Sequence, residues 1–262
     1  MKIRWIDTSC FEIVTDENEV IVTDPYIDAC ENHPVDASDV QKMDYILITH
    51  THFDHITELD RYFEEYRPKI LASTHSAIEL VKAFDLSGQC TYGMDHLQKL
   101  DFGNTRITRI AGRHSIPGRK ERHLARESQI LWNSLEQPYA DLMVTGYMDF
   151  SNFYIETKNN TRILFWGGSV SRDQIEEAKA FHPDIVLMQI PSNPYDEIVD
   201  FIRATGASYV LPHHHDTYYK TKDVPEMMRE LGEKIEKTCT STRFLDPVPG
   251  KWYSFRTILE PE

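Results

Sequence analysis

Short apolar segments recur along the chain, and turn-forming or polar residues separate them. Segments of this kind, rich in Ile, Val, Leu and aromatic residues, are typical of β-strands. The segment 45–49 (YILIT) is almost entirely apolar, which indicates a strand buried on both faces. The pattern predicts strands at 2–6, 11–15, 19–23, 45–49, 69–73, 106–110, 153–156, 162–166, 184–189 and 209–211.

Apolar residues at spacings of three and four predict helices between these strands. Ile56, Leu59, Phe63 and Tyr66 follow this spacing and predict a helix directly after the segment 45–49. Capping pairs and a closing glycine delimit further helices. These are predicted at 77–84, at 172–181 after Ser171 and Gln174, from Asn193-Pro194 to Gly206, and after Asp223 and Glu226.

The order of these elements predicts an α/β fold with mixed sheets, because strands dominate the start of each half and strand–helix alternation follows. We expect residues 1–262 to form a single domain, since no Pro-, Gly- or Ser-rich linker interrupts the pattern. The segment 115–150 departs from it. This segment is polar and weakly periodic, which suggests a lid or an inserted helical hairpin.

The composition and charge of the chain limit the kinds of protein it can be. The chain has 262 residues, 40% of them hydrophobic, which is enough for a sizeable core. Its net charge of −14 argues against a nucleic-acid partner and against an anionic membrane surface. The sequence shows no signal peptide or membrane span, and its four cysteines form no CxxC pair. We therefore expect free thiols and a cytoplasmic location, and the sequence leaves homo-oligomer formation open.

The sequence Thr49-His50-Thr51-His52-Phe53-Asp54-His55 places four potential metal ligands at the end of a predicted strand. Ligands on such a turn converge outside the edge of the sheet, where open α/β sheets place their sites. Histidine and carboxylate ligands without thiolates are typical of catalytic zinc sites, which keep a position for water. The less specific alternatives are a closed structural site and a surface cluster of histidines.

This motif resembles the THxHxDH signature of the metallo-β-lactamase superfamily, and the resemblance covers most of the chain. Asp24, in the sequence Asp24-Pro25-Tyr26, is similar to the early aspartate of that family, and His114 matches its third histidine. The run from Leu211 to Thr217 (LPHHHDT) resembles its late histidine motif, with His214 as the matching ligand. These contexts look most like the branch that contains L-ascorbate 6-phosphate lactonase. The fold implied is a four-layer αββα sandwich with the metal site at one sheet edge.

The resemblance also implies the ligands and the chemistry. Site one would comprise His50, His52 and His114, and site two Asp54, His55 and His214. Asp54 and His214 are also the candidate catalytic residues, while Asp24 would orient a ligand from behind. The expected cofactor is Zn²⁺, as one or two ions, with Mn²⁺ or Fe²⁺ as alternatives. Such an ion lowers the pKa of its water to about 7 and provides metal-bound hydroxide for hydrolysis at neutral pH.

One position departs from the family pattern. Gly168 occupies the slot in which family members usually carry an aspartate that bridges the two metals. We therefore expect weaker binding at site two or a substitute ligand, for which Asp149, Ser169 and Asp216 are candidates. The sequence Thr8-Ser9-Cys10 likewise replaces the usual "GHA" near the start.

The expected function is hydrolysis of a small anionic ester, lactone or phosphoester. Basic residues in 113–126 suggest an anion clamp, with Arg119 and Arg122 as substrate-binding candidates, although a solvated lid explains the same charges. His215 and Tyr218 are further substrate-binding candidates beside the presumed ligand His214. Two alternatives remain at this stage, a phosphodiesterase and a non-catalytic metal- or ligand-binding protein with a degenerate site.

Overall fold

A computed structural model describes residues 1–30, 34–114, 135–191, 193–218 and 222–255. The first of its two sheets has seven strands. They are β1 (Lys2–Asp7), β2 (Cys10–Val14), β3 (Val20–Thr23), β4 (Tyr45–Leu47), β5 (Lys69–Ser73), β6 (Thr91–Met94) and β14 (Tyr253–Ser254). Their order is β14-β1-β2-β3-β4-β5-β6. The pairs from β14 to β3 are antiparallel, and those from β3 to β6 are parallel.

The second sheet also has seven strands. They are β7 (Lys99–Asp101), β8 (Thr105–Ala111), β9 (Ser151–Thr157), β10 (Arg162–Trp166), β11 (Ile185–Gln189), β12 (Tyr209–His213) and β13 (Arg243–Phe244). Their order is β13-β12-β11-β10-β9-β8-β7, with parallel pairing from β10 to β13. Because β8 and β10 are both antiparallel to β9, β8 runs in the same direction as β10 and β12.

Helices cover the outer faces of the two sheets. They are α1 (Phe53–Ile56), α2 (Leu59–Tyr66), α3 (Thr74–Phe84), α4 (Tyr139–Met148), α5 (Arg172–Ala178), α6 (Tyr195–Thr205) and α7 (Val224–Thr238). Short 3₁₀ segments span Ala37–Asp39 and His215–Tyr218. Among the described residues, no helix has both the length and the apolar content needed to cross a membrane.

The core lies in three apolar layers, which follow from alternation along the strands. In β4, Tyr45 and Leu47 belong to the layer between the sheets, whereas Ile46 packs in the outer layer beneath α2 and α3. In β11, Leu187 belongs to the inner layer, and Val186 packs beneath the helices of the second sheet. Both sheets are therefore buried on both faces, as in the expected αββα sandwich.

Most strands lie where the apolar pattern predicts them, and the differences have local causes. The helix predicted from Ile56 to Tyr66 is two helices, because the chain turns at Glu58, whose φ is +61°. The backbone cap predicted at Ser171 does not form, since its hydroxyl donates to the side chain of Gln174 instead. The strands β6 and β7 were not predicted, because half-exposed residues at the edges of sheets give no clear apolar pattern.

The segment 115–150 is described only in part. Residues 115–134 lie outside the described residues, while α4 occupies most of the remainder. This helix lies against α1 and α3 on the side of the metal-ligand motif. The single-domain organisation and the lid stay predictions.

Candidate metal centre

The candidate ligands come from three chain segments that meet at one edge of the sandwich. The motif with His50 and His52 follows β4, His114 follows β8, and His214 follows β12. Asp24 directly follows β3, which is parallel to β4. Strand ends that face the same edge bring residues distant in sequence into one site, as is common in α/β sheets.

The first ligand group comprises His50, His52 and His114. Each residue offers one ligand atom, and the three atoms lie within 4.8 Å of one another. The hydroxyl of Thr49 donates to Asp24 over 2.6 Å, so it accepts a hydrogen bond from Nδ1 of His50 at 2.9 Å. This fixes the tautomer in which Nε2 of His50 carries a lone pair. That Nε2 atom is buried and has no hydrogen-bond partner among the described residues, as a metal ligand requires.

The second ligand group comprises Asp54, His55 and His214, whose ligand atoms also lie within 4.8 Å of one another. Nε2 of His55 is 3.7 Å from one oxygen of Asp54, and Nε2 of His214 is 3.9 Å from the other. Nδ1 of His214 lies 2.9 Å from the hydroxyl of Thr217, which leaves Nε2 directed at the carboxylate. Two imidazoles and one carboxylate suit Zn²⁺, Mn²⁺ or Fe²⁺.

Asp24 lies behind both groups and is fully buried. One of its oxygens accepts hydrogen bonds from the Thr49 hydroxyl and, at 2.8 Å, from Nδ1 of His55. The other accepts from the backbone N–H of Thr49 at 2.7 Å. One carboxylate therefore orients His55 directly and His50 through Thr49.

The electrostatics favour the neutral form of His50, His52 and His214 in the absence of a cation, whereas the pKa of His55 is raised. Burial and the neighbouring histidines hold the pKa of His50 well below its usual value. Burial likewise lowers the pKa of His52 to about 3 and that of His214 to about 4. Burial raises the pKa of Asp54, but His55 and His214 more than offset this effect, and the net pKa is lowered. At neutral pH these side chains are in the protonation states that bind metal.

Gly168, the residue in the predicted slot of a bridging aspartate, leaves no room for a side chain. A Cβ atom at Gly168 would lie 2.7 Å from the carbonyl oxygen of Arg113, which is closer than a carbon atom can approach. The three predicted substitutes are in neither ligand group. Asp149 pairs with Arg109 at 3.2 Å, Ser169 donates to the Arg113 carbonyl, and Asp216 accepts from Thr8.

The three consecutive histidines have different surroundings. His213 is buried, with its two ring nitrogens 3.1 Å from the Ser9 hydroxyl and 3.2 Å from the Trp166 carbonyl, so it is not directed at the ligand groups. His215 is buried against Trp5, with ring centroids 4.6 Å apart. Its Nε2 is 3.5 Å from Asp246. Of the three, only His214 is in a ligand group.

Of the four predicted substrate-binding side chains, the structure describes that of His215. It is buried and is in neither ligand group, which does not suit direct substrate contact. Arg119, Arg122 and the side chain of Tyr218 lie outside the described residues. Their roles stay predictions.

Two aromatic residues at the centre were not singled out from the sequence. Phe150 stacks on His50 with ring centroids 4.6 Å apart. Tyr147 of α4 contacts His52 and His114, and its ring centroid lies 4.5 and 4.6 Å from theirs. Both lie in the weakly periodic segment, where the sequence gives no signal that α4 packs against the motif. Thr49 was visible as part of the motif, but only its contacts show its role.

Comparison with known proteins agrees with this geometry. The profile of a family described as "Beta-lactamase superfamily domain" matches residues 2–214. The chain belongs to the metallo-β-lactamase superfamily. A superfamily relative, a UPF0173 metal-dependent hydrolase from Polaromonas sp., is 26% identical over 97% of this chain and 89% of that protein.

Two solved structures share the superfamily fold. Igni18, a metallo hydrolase from Ignicoccus hospitalis, has a TM-score of 0.70 and 15% identity, covering 97% of this chain and 99% of that chain. An isothiocyanate hydrolase from Delia radicum gut bacteria has a TM-score of 0.68 and 15% identity over the same shares. The predicted fold and the class of metal-dependent hydrolase are confirmed. The L-ascorbate 6-phosphate lactonase branch stays a prediction.

Proposed function

We propose that this chain hydrolyses a small anionic ester, lactone or phosphoester at the two ligand groups. The observation that carries the proposal is the convergence of six side chains into two groups of three, each with ligand atoms within 4.8 Å. When bound, a divalent cation supplies Lewis acidity and a nucleophile for hydrolysis at neutral pH.

The charge of the centre supports an anionic substrate. Asp54 is the only carboxylate among the six ligands. Burial lowers the pKa of His50, His52 and His214, so these three imidazoles are neutral at physiological pH. The positive charge of the metal is then only partly compensated, and an anionic group close to it is stabilised. We propose Arg119, Arg122 and Tyr218 as further substrate contacts, whereas the buried His215 is not proposed. Of these, the basic pair suits a phosphate or carboxylate best.

Some residues of the centre would hold a cation, and Asp24 orients two of these ligands. His50, His52 and His114 would hold the first cation, and Asp54, His55 and His214 the second. Asp24 keeps His50 and His55 in the tautomers that expose Nε2. In this proposal, Asp54 and His214 lie next to the bound substrate. Zn²⁺ fits the histidine-rich first group best. A cytoplasmic location agrees with four cysteines that form no disulfide.

A hydrolysis screen with matched variants tests the proposal. Zinc-loaded protein is assayed with sugar lactones, phosphate mono- and diesters and an isothiocyanate, before and after chelation. We expect turnover that chelation abolishes and that zinc restores. His114→Ala should lose both zinc and turnover, whereas His96→Ala, which removes an exposed histidine paired with Glu177, should keep both. Tight zinc binding without turnover of any probe would contradict the proposed substrates.

A further inference from the structure

Tyr147 borders the metal centre without belonging to either ligand group. Its ring contacts one histidine of the motif, His52, and the histidine that follows β8, His114. The residue is 37% exposed, so it is neither part of the core nor a free surface side chain. A polar aromatic residue in this position forms part of the wall that a bound substrate would contact.

The helix that carries Tyr147 is fixed against the motif. The hydroxyl of Thr51 donates to the carbonyl of Leu142 in α4 over 2.8 Å. The backbone of Gly146 lies so close to His52 that any Cβ atom there would clash with the imidazole ring. These contacts hold the phenol at a defined position beside the ligands, which is what a hydrogen bond to a reacting group requires.

The phenol of a tyrosine is protonated at neutral pH and can donate a hydrogen bond. Because Tyr147 contacts His52 and His114 of the first ligand group, such a donor would lie beside the metal centre.

We propose that the Tyr147 hydroxyl donates a hydrogen bond to a substrate oxygen at the metal centre and so positions the substrate. This inference rests on the proposed hydrolase function and adds a specific contact to it. Esters, lactones and phosphoesters all carry an oxygen that gains negative charge during hydrolysis, and a fixed neutral donor stabilises that charge. No proton transfer from Tyr147 is involved.

The experiment compares Tyr147→Phe with Tyr139→Phe, the same substitution at the other end of α4. The hydroxyl of Tyr139 meets the backbone of Glu58 and not the ligands. Zinc content, kcat and KM for 4-nitrophenyl acetate and bis(4-nitrophenyl) phosphate, and the calorimetric Kd for inorganic phosphate are measured on zinc-loaded proteins. We expect Tyr147→Phe to keep its zinc, to lose about 10- to 100-fold in kcat/KM and to bind phosphate several-fold more weakly. Tyr139→Phe should match the wild type.

The outcomes separate this inference from the proposed function. Wild-type values of kcat/KM and phosphate Kd in Tyr147→Phe would overturn the role of Tyr147 while leaving the hydrolase intact. Loss of zinc in this variant would also overturn it, because Tyr147 would then support the ligands rather than the substrate. If the wild type hydrolyses neither ester, the proposed function is in question. The phosphate Kd then still decides the inference, because it compares the two variants without turnover.

Discussion

Asp24 is hydrogen-bonded to one histidine of each ligand group, directly to His55 and through Thr49 to His50, and is itself in neither group. These bonds leave Nε2 of both imidazoles as the nitrogen that would face a cation. Such partners orient ligands and increase their basicity, and their loss typically costs 10- to 100-fold in metal affinity.

The first prediction follows from these bonds. Asp24→Asn removes the negative charge and an acceptor, so we expect zinc affinity to fall by about 10- to 100-fold. Competition with a fluorescent chelator measures the change. Asp28→Asn, which alters a half-buried carboxylate paired with Arg61 and outside both ligand groups, serves as the control and should bind zinc as the wild type does. Equal affinity in the two variants would show that Asp24 has no orienting role.

The second prediction concerns the missing bridge. Restoring the carboxylate by Gly168→Asp should destabilise the protein without adding a second tightly bound zinc, because its Cβ meets the Arg113 carbonyl at 2.7 Å. Thermal unfolding and zinc stoichiometry by elemental analysis are the measurements. Gly88→Asp is the matched control, since no heavy atom lies within 4 Å of the added carbon. A gain of one tightly bound ion in Gly168→Asp would refute this reading of the slot.

At this scale the sequence predicts ligands better than the residues that support them. The short segment 50–55 contains the four ligands His50, His52, Asp54 and His55. Their spacing alone indicates a shared metal site. Ser169 and Asp216 were candidate substitutes for the bridging aspartate, and the sequence could not distinguish between them. Their hydrogen bonds to Arg113 and Thr8 depend on long-range packing, which spacing does not reveal.

At the scale of elements, α4 is the helix that packs against the metal-ligand motif and borders the metal centre. It lies against the motif through Thr51, and its glycine allows the helix backbone to approach His52. Alanine normally stabilises a helix relative to glycine by about 1 kcal/mol. At this position the steric effect dominates, because the added carbon would meet the imidazole and lie 3.1 Å from the His52 backbone nitrogen.

The third prediction follows from the steric clash that a Cβ atom at Gly146 would make with His52. Gly146→Ala should displace α4 or His52, and we expect weaker zinc binding by the first ligand group. Isothermal titration of the metal-free protein measures it. Val144→Ala changes an exposed residue of the same helix and should leave zinc affinity unchanged. Undiminished affinity in Gly146→Ala would mean that α4 is free to move away from the motif.

The elements also show why the strands were easier to predict than α4. Strands such as β10, which spans the predicted residues 162–166, are buried on both faces, so they consist mainly of apolar residues that the core requires. In α4, apolar residues lie on the solvent side as well as on the buried side, with Val144 69% and Met148 81% exposed. Apolar residues on both sides of a helix give no helical period, and contacts made across the fold determine its position.

For the whole molecule, the buried histidines make stability depend on pH. Burial lowers the pKa of His50, His52, His213, His214 and His215. The unfolded chain binds protons at these positions near the ordinary value of about 6.5, while the folded chain does not. Stability is therefore retained above this pH and lost as the pH falls below it, by up to about 1.4 kcal/mol per pH unit for each histidine.

The fourth prediction is that the metal-free protein unfolds at a lower urea concentration at pH 5.5 than at pH 7.5. Burial lowers the pKa of His55, but Asp54 and Asp24 more than offset this effect, so His55 acts in the opposite direction. The acids whose pKa burial raises do so too: Asp216, to about 8, and Asp24, Glu12 and Asp246. We expect the five histidines to dominate, because their ordinary pKa of about 6.5 lies within this pH range. Urea titration with a chelator present measures the midpoints. An equal or higher midpoint at pH 5.5 would show that these imidazoles are not buried in the neutral form.

The ligands also belong to both halves of the sandwich. His50 and His52 extend from the first sheet, and His114 and His214 from the second. A cation held between them joins chain segments that are distant in sequence, and the unfolded chain offers no equivalent site. The availability of the metal in the cell should therefore set not only how much of this protein is active but also how long each copy survives proteolysis.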